Sequence, residues 1–115
     1  MKRKGWIAVD FDGTLAEYDT YNGPDHCGKP IPLMVLRVKG WIDAGWEVRV
    51  FTARVASLHP QDEVDAARKA ISEWCARHIG VVLKVTSEKD HEMVELWDDR
   101  AVAVVHGVPQ SRSRI

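Results

Sequence analysis

One stretch near the start of the chain decides the fold: Ile7-Ala8-Val9-Asp10-Phe11-Asp12-Gly13-Thr14. Its first three residues form an apolar run that is typical of a buried strand. The run leads directly into two aspartates and a glycine, which predicts that the strand ends in a tight turn. Open parallel sheets carry their active sites at the carboxyl ends of their strands. The stretch therefore predicts an α/β domain with a functional site at Asp10 and Asp12.

Length and composition narrow the possible classes of protein. A chain of 115 residues is the size of one domain, so we expect a single unit over residues 1–115. The formal net charge of -1 provides no overall basic field for nucleic acid or an anionic membrane. No apolar run approaches the roughly 20 residues that cross a bilayer, and the basic start, Met1 to Lys4, precedes an apolar run too short for a signal peptide. We expect a cytoplasmic protein with no membrane partner.

Strand and helix patterns alternate along the chain, which favours an α/β domain with a mainly parallel, five-stranded sheet. The predicted strands are Gly5 to Asp10, Trp46 to Phe51, Val81 to Val85, Met93 to Trp97 and Ala101 to Val105. Helical spacing of apolar residues predicts helices over Leu33 to Ile42 and Asp62 to His78. Residues 15–32 are rich in proline and glycine and predict an irregular excursion, here called the flap. The end of the chain, Ser111 to Ile115, predicts a polar tail.

Chemically useful side chains follow several of these strands, and a parallel sheet would bring them to one edge. They are Asp10 with Asp12, Thr52, Lys89, and Asp98 with Asp99. This set suggests phosphoryl transfer, because a carboxylate can attack phosphorus and form an aspartyl-phosphate. Asp10 is the natural nucleophile, and Asp12 is placed to protonate the leaving group and then activate water.

The clustered acids also predict a cation, since carboxylates at one edge repel each other unless a metal or a basic partner is present. Mg²⁺ takes oxygen ligands, which Asp10, the Asp12 carbonyl and one of Asp98 or Asp99 would supply. Lys89 would neutralise the phosphate. Thr52 and the backbone amides of Gly13 and Ala53 would donate hydrogen bonds to phosphoryl oxygens.

Four segments, in this order, resemble the motifs of the haloacid dehalogenase superfamily: Asp10-Phe11-Asp12-Gly13-Thr14, Phe51-Thr52-Ala53-Arg54, the lysine of Val85-Thr86-Ser87-Glu88-Lys89, and Leu96-Trp97-Asp98-Asp99. The resemblance covers almost the whole chain. It implies a three-layer α/β/α Rossmann-like fold and a Mg²⁺-dependent phosphatase. It also implies that Asp10 is the nucleophile, Asp12 the acid and base, and Thr52 a phosphate donor. Lys89 would stabilise charge, and Asp98 or Asp99 would bind the metal.

Members of this superfamily often carry an inserted cap domain, and the flap is too short to fold as one. The chain is therefore similar to capless members found in bacterial and phage genomes, and a bulky or macromolecular phosphorylated substrate would suit an uncovered site. Substrate contacts are expected first from the flap, with Arg54 and His59 as secondary candidates. The expected flap contacts are Tyr18, Tyr21, Asn22, Asp25, His26 and Lys29.

Other functions remain open from the residues. A receiver domain also uses Asp, Thr, Lys and Mg²⁺. It would carry its phosphorylated aspartate after a central strand, and not in an Asp-x-Asp after the first strand, so the order of the motifs disfavours this alternative. A non-catalytic protein that binds a metal or phosphate on the same fold is a second alternative. A polynucleotide-end phosphatase is a third, for which the net charge gives little support. Cys27 and Cys75 predict free thiols, and the sequence leaves the substrate and the oligomeric state open.

Overall fold

The computed structural model describes residues 2–110. The predicted polar tail, Ser111 to Ile115, lies outside these residues. The elements in chain order are β1 (Trp6–Asp10), α1 (Pro32–Asp43), β2 (Glu47–Phe51), a short 3₁₀ turn (Ala53–Val55), α2 (Gln61–His78), β3 (Lys84–Thr86), β4 (Met93–Trp97), β5 (Val104–Val105) and β6 (Val108–Pro109).

Four of the strands form one parallel sheet in the order β3-β2-β1-β4. The predicted α/β class with a mainly parallel sheet is therefore confirmed. β1 lies between β2 and β4, and its residues 6–9 are buried. Asp10, at the carboxyl end of this interior strand, thus lies in the middle of one edge of the sheet.

The fifth predicted strand, Ala101 to Val105, is not part of this sheet. Val104–Val105 instead pairs with Val108–Pro109 as a separate antiparallel hairpin. The two residues of its turn, His106 and Gly107, have φ of 51° and 81°. Two successive positive φ values are typical of the tight turn that joins hairpin strands. The chain therefore turns back on itself after Val105, and the sheet has four strands within residues 2–110.

Both helices cover the same face of the sheet. Val9, Val50 and Val85 are paired in register and share one face. They belong to one continuous core with Val38 of α1 and Ile71 of α2. The third layer implied by the resemblance is absent from residues 2–110, because residues 87–92 alone link β3 to β4 and are too few for a crossover helix.

The helix boundaries follow ordinary start and stop signals. Pro32 lies at the start of α1, where a missing N–H costs nothing, and Gly45 follows its end with φ of 95°. Helix α2 carries Asp62 and Glu63 in its first turn and basic residues in its last, as the helix dipole favours. The predicted positions of both helices are confirmed to within one or two residues.

Trp74 of α2 connects the core to the loop after β1 and to the flap. Its side chain is 1% exposed and meets the Phe11 ring edge-on at a centroid distance of 5.0 Å. Its indole N–H donates to the Gly28 carbonyl of the flap at 2.9 Å. The core therefore supports both the loop after β1 and the flap.

The predicted free thiols are confirmed for Cys27 and Cys75. Burial raises the pKa of the Cys75 thiol to about 12, so this cysteine is an inert core residue. Neither α1 nor α2 is long and apolar enough to cross a bilayer.

Candidate functional site

The carboxyl ends of β1, β2 and β4 meet at an open cleft of about 600 Å³. It collects most of the predicted site residues from four separate parts of the chain. Its lining consists of Asp10, Asp12, Gly13, Tyr18, Asp19, Tyr21, Pro24, Thr52, Ala53, Arg54, His59, Glu63, Asp98, Asp99 and Arg100.

Asp10 lies at the centre of a group of three carboxylates. Ligand oxygens of Asp10, Asp98 and Asp99 all lie within 4.8 Å of one another. Burial, the charges of Asp98 and Asp99, and a hydrogen bond with Asp99 raise the pKa of Asp10 to about 7. The Thr14 hydroxyl, which donates to Asp10 Oδ2 at 3.3 Å, acts in the opposite direction. Without a bound cation, the charges of Asp98 and Asp99 therefore disfavour the ionised form of Asp10.

These residues fit a magnesium ion by the chemistry of their donors. Carboxylate oxygens are the ligands that Mg²⁺ prefers, and three of them converge here from two neighbouring strands. Gly13 has φ of 85°, and a Cβ placed on it would lie 2.6 Å from Asp99 Oδ2. Only glycine therefore lets Asp99 approach the β1 loop this closely.

Asp98 and Asp99, at the end of β4, both belong to this group. The sequence left open which of the two would bind the metal, and the structure makes both available as ligands. Asp98 also accepts a hydrogen bond from the backbone N–H of Arg100 at 2.7 Å, which orients its carboxylate. The Asp12 carboxylate is not part of the group. Of the predicted ligands, Asp12 would therefore contribute through its carbonyl.

The raised pKa of Asp10 predicts that Asp10→Asn stabilises the metal-free protein at pH 8. Ionised Asp10 is unfavourable in the folded state, because its pKa rises from 3.8 to about 7 on folding. The wild-type protein therefore loses stability as pH rises through this window and regains it as pH falls towards 4. After allowance for solvent screening of a partly exposed group, we expect a gain of about 1–2 kcal/mol in the free energy of unfolding.

Urea denaturation in EDTA at pH 8 and at pH 4.5 measures this gain. Added Mg²⁺ should reverse the order at pH 8, since a ligand that binds only the folded state stabilises it. An Asn variant equal to or less stable than wild type at pH 8 in EDTA would contradict the electrostatic description of the cluster.

Asp12 faces a different partner. The Arg54 guanidinium donates to both of its carboxylate oxygens, from Nε to Oδ2 at 2.8 Å and from Nη2 to Oδ1 at 2.7 Å. The two aspartates of the first motif thus have distinct environments, one acidic and one basic. The two carboxylates are therefore not chemically equivalent when no cation is bound.

Thr52 and Ala53 lie beside this pair at the end of β2. Thr52 is 3% exposed and its hydroxyl oxygen accepts from the Arg54 backbone N–H at 3.2 Å. A hydroxyl that accepts in this way still has its own proton to donate. Both residues line the cleft, which agrees with a role in holding phosphoryl oxygens.

Among the residues predicted for catalysis and metal binding, Lys89 is not brought to the cleft. It is exposed, within residues 87–92, and does not line the cleft. Those residues run from the carboxyl end of β3 to the amino end of β4, where the Trp6 indole fixes the neighbouring Asp90 at 2.8 Å. The cleft contains two other cations, Arg54 and Arg100.

Arg100 lines the cleft without having been predicted, although its adjacency to Asp98 and Asp99 was an available signal. Asp19, Pro24 and Glu63 also line the cleft and were not predicted. Glu63 is in the first turn of α2, where an acid is readily explained by the helix dipole alone.

The predicted flap contacts divide between two places. Tyr18 and Tyr21 line the cleft, with exposures of 40% and 56%, and so does His59 beyond the flap. A neighbouring recess of about 270 Å³ is lined instead by the other side of the flap, including Asn22, His26 and Lys29. Asp25 is exposed and lines neither the cleft nor this recess.

Comparison with known proteins yields a match of fold. A solved structure of a conserved protein from Bacteroides thetaiotaomicron is similar to this chain with a TM-score of 0.56 and 24% sequence identity. The match covers 87% of this chain and 79% of that chain. No protein-family model and no curated protein matches the sequence. The likeness supports the small Rossmann-like α/β domain described above.

Proposed function

We propose that the protein is a Mg²⁺-dependent phosphomonoester hydrolase that works through an aspartyl-phosphate at Asp10. One observation carries the proposal. Asp10 lines an open cleft, and its carboxylate lies within 4.8 Å of those of Asp98 and Asp99, while Asp12, two residues further on, lines the same cleft. This arrangement supports a nucleophile, a proton carrier and oxygen ligands for a cation at one place.

The first half of the reaction transfers the phosphoryl group to the protein. A carboxylate oxygen of Asp10 attacks phosphorus and forms an acyl-phosphate bond, while the bond from phosphorus to the leaving oxygen breaks. Asp12 donates a proton to that oxygen, which departs as an alcohol. Thr52 is placed to donate its hydroxyl proton to a phosphoryl oxygen.

The second half returns the protein to its starting state. Asp12, now a carboxylate, takes a proton from water, and the water oxygen attacks phosphorus. The bond to Asp10 breaks, inorganic phosphate leaves, and Asp12 is again protonated. Mg²⁺ held by Asp10, Asp98 or Asp99 and the Asp12 carbonyl would screen the repulsion between the acids and the phosphate dianion.

The charges along the cleft bear on the alternative of a polynucleotide-end phosphatase. Asp19 and Glu63 add two acids to its lining, and of the two arginines that line it among residues 2–110, Arg54 is paired with Asp12. Nucleic-acid sites are strongly basic because they must neutralise several phosphates. The cleft favours a substrate with a single phosphate and little further negative charge.

Release of inorganic phosphate from a panel of phosphomonoesters tests the proposal. The panel contains sugar phosphates, nucleoside monophosphates, aryl phosphates and 3′- or 5′-phosphorylated oligonucleotides, each with Mg²⁺ and with EDTA. We expect release that requires Mg²⁺ and is lower with oligonucleotides than with small esters. Release that persists in EDTA would contradict the role of the metal. Absence of release from every ester, with Mg²⁺ still bound, would favour a non-catalytic binding protein.

A further inference from the structure

We propose that Arg54 is a positioning residue that couples the flap to Asp12, and not a ligand of the substrate phosphate. The inference rests on the proposed function and concerns the same cleft. It differs from the expectation drawn from the sequence, in which Arg54 follows Thr52 and contacts the substrate.

The donors of the guanidinium are already committed within the protein. Arginine offers five N–H groups, and four of those on Arg54 have partners. Two donate to the Asp12 carboxylate at 2.7 and 2.8 Å. The other two, both on Nη1, donate to the backbone carbonyls of Pro24 at 3.0 Å and His26 at 2.6 Å. Arg54 could therefore donate two hydrogen bonds to a substrate phosphate only by breaking contacts that it already makes within the protein.

The setting of the side chain also suits a fixed role. The Arg54 side chain is 7% exposed and that of Asp12 is 22% exposed. The guanidinium carbon lies 5.8 Å from the centre of the Phe11 ring. Phe11 stands between Asp10 and Asp12 in the sequence, and its side chain is fully buried. A bidentate pair has a single favourable orientation, so the plane of the Asp12 carboxylate is set by Arg54.

Arg54 also holds the middle of the flap. The two arms of the flap meet at its base, where the Glu17 N–H donates to the Lys29 carbonyl at 2.8 Å. Gly28 packs so closely against Glu17 that a Cβ there would lie 1.9 Å from the Glu17 carbonyl oxygen. Beyond this base, Arg54 binds the carbonyls of Pro24 and His26, the residues before and after Asp25 in the sequence. Displacement of the flap would therefore release one side of the guanidinium and loosen its hold on Asp12.

The consequence for catalysis is a dependence on the leaving group. A p-nitrophenolate departs without a proton, whereas an alkoxide needs one from Asp12. A general acid in position contributes about 10²–10⁴-fold to such a step. Loss of the orientation imposed by Arg54 should therefore reduce kcat/KM far more for alkyl phosphates than for p-nitrophenyl phosphate. The later attack of water uses Asp12 in the same way for both substrates.

The experiment compares Arg54→Lys with wild type on glycerol phosphate and p-nitrophenyl phosphate at saturating Mg²⁺. Lysine keeps the charge but cannot form the two-pronged contact. We expect kcat/KM, which reports the steps up to phosphoryl transfer, to fall at least about tenfold more for glycerol phosphate than for p-nitrophenyl phosphate. The matched control is Arg49→Lys, a partly buried arginine that pairs with Glu47 and Asp90 away from the cleft. It should alter both substrates equally.

Hydrogen exchange supplies a readout that does not depend on turnover. The His26 N–H, which donates to the Gly23 carbonyl within the flap, should exchange faster in Arg54→Lys and in Arg54→Ala than in wild type. Guanidinium ion added to Arg54→Ala should restore part of the lost rate with glycerol phosphate.

Three results would overturn the inference. Equal losses of kcat/KM on the two substrates would show a merely structural role, and a change confined to KM would show a phosphate ligand. Unchanged exchange in the flap would remove the coupling. Failure of wild type on both substrates would instead refute the proposed function, so the two failures are distinguishable.

Discussion

Replacing Asp10 with asparagine should reduce phosphomonoester hydrolysis by at least about 10³-fold while leaving the fold intact. The amide has nearly the same shape but lacks the negative oxygen that attacks phosphorus. It also removes one of the three carboxylates that surround the candidate metal position. The loss should appear in kcat and should not be recovered by raising the concentration of Mg²⁺. Initial rates of phosphate release from the best substrate of the panel measure the effect.

Asp43→Asn is the matched control for this substitution. Asp43 is an exposed aspartate at the end of α1 that lines neither the cleft nor the neighbouring recess. The same chemical change there should leave the rate within about twofold of wild type, as expected for a surface substitution. An Asp10→Asn variant that is folded and retains a tenth or more of wild-type activity would contradict the assignment of Asp10 as nucleophile.

Trp74→Ala should reduce the free energy of unfolding by about 3–5 kcal/mol, the usual cost of deleting a large buried aromatic side chain. The indole is 1% exposed, and its removal leaves a cavity beside Phe11 and His78. It also leaves the Gly28 carbonyl without its donor. Since small domains have only about 5–15 kcal/mol of stability, a large fraction of the variant could be unfolded at 37 °C. Urea denaturation at 20 °C measures the loss.

Trp74→Phe separates the two parts of this effect. Phenylalanine keeps an aromatic ring against Phe11 but loses the hydrogen bond to the flap, which should cost about 1–3 kcal/mol together with the loss in volume. Because Gly28 belongs to the base of the flap, hydrogen exchange in residues 17–31 should also increase. A loss below 1 kcal/mol for Trp74→Ala would contradict the position of this side chain in the core.

The sequence was sufficient to predict the elements that place the candidate site. An apolar run before Asp10, helical spacing before Gly45, and acids followed by basic residues in α2 are local signals, and each element formed where its signal lies. Parallel strands share one edge for their carboxyl ends, so convergence of Asp10, Thr52 and Asp98 followed from the order of elements alone.

The differences arise where local signals are ambiguous about partners. Ala101 to Val105 has strand composition, but the positive φ values of His106 and Gly107 direct it into a hairpin of its own. Lys89 follows a strand, yet its distance from the cleft depends on how residues 87–92 travel to β4. No periodicity encodes that path.

The partnership of Arg54 with Asp12 was equally beyond local reasoning. The two residues are 42 positions apart, and the carbonyls of Pro24 and His26 that complete the arrangement carry no side-chain signal. A sequence shows that a guanidinium follows Thr52, but its partners depend on the tertiary structure of the flap.

The most direct test of covalent catalysis at Asp10 is chemical trapping of the phosphorylated residue. The Asp12→Asn variant, in which the second half of the reaction should be slowed, is mixed with a phosphomonoester and Mg²⁺, quenched and reduced with borohydride. Acyl-phosphates are reduced to alcohols under these conditions, so mass spectrometry of the peptides locates the modified residue. We predict that the aspartate at position 10 is converted to homoserine, and that the conversion requires both substrate and Mg²⁺. Turnover of substrate without modification at position 10, or with modification at another aspartate, would contradict the account.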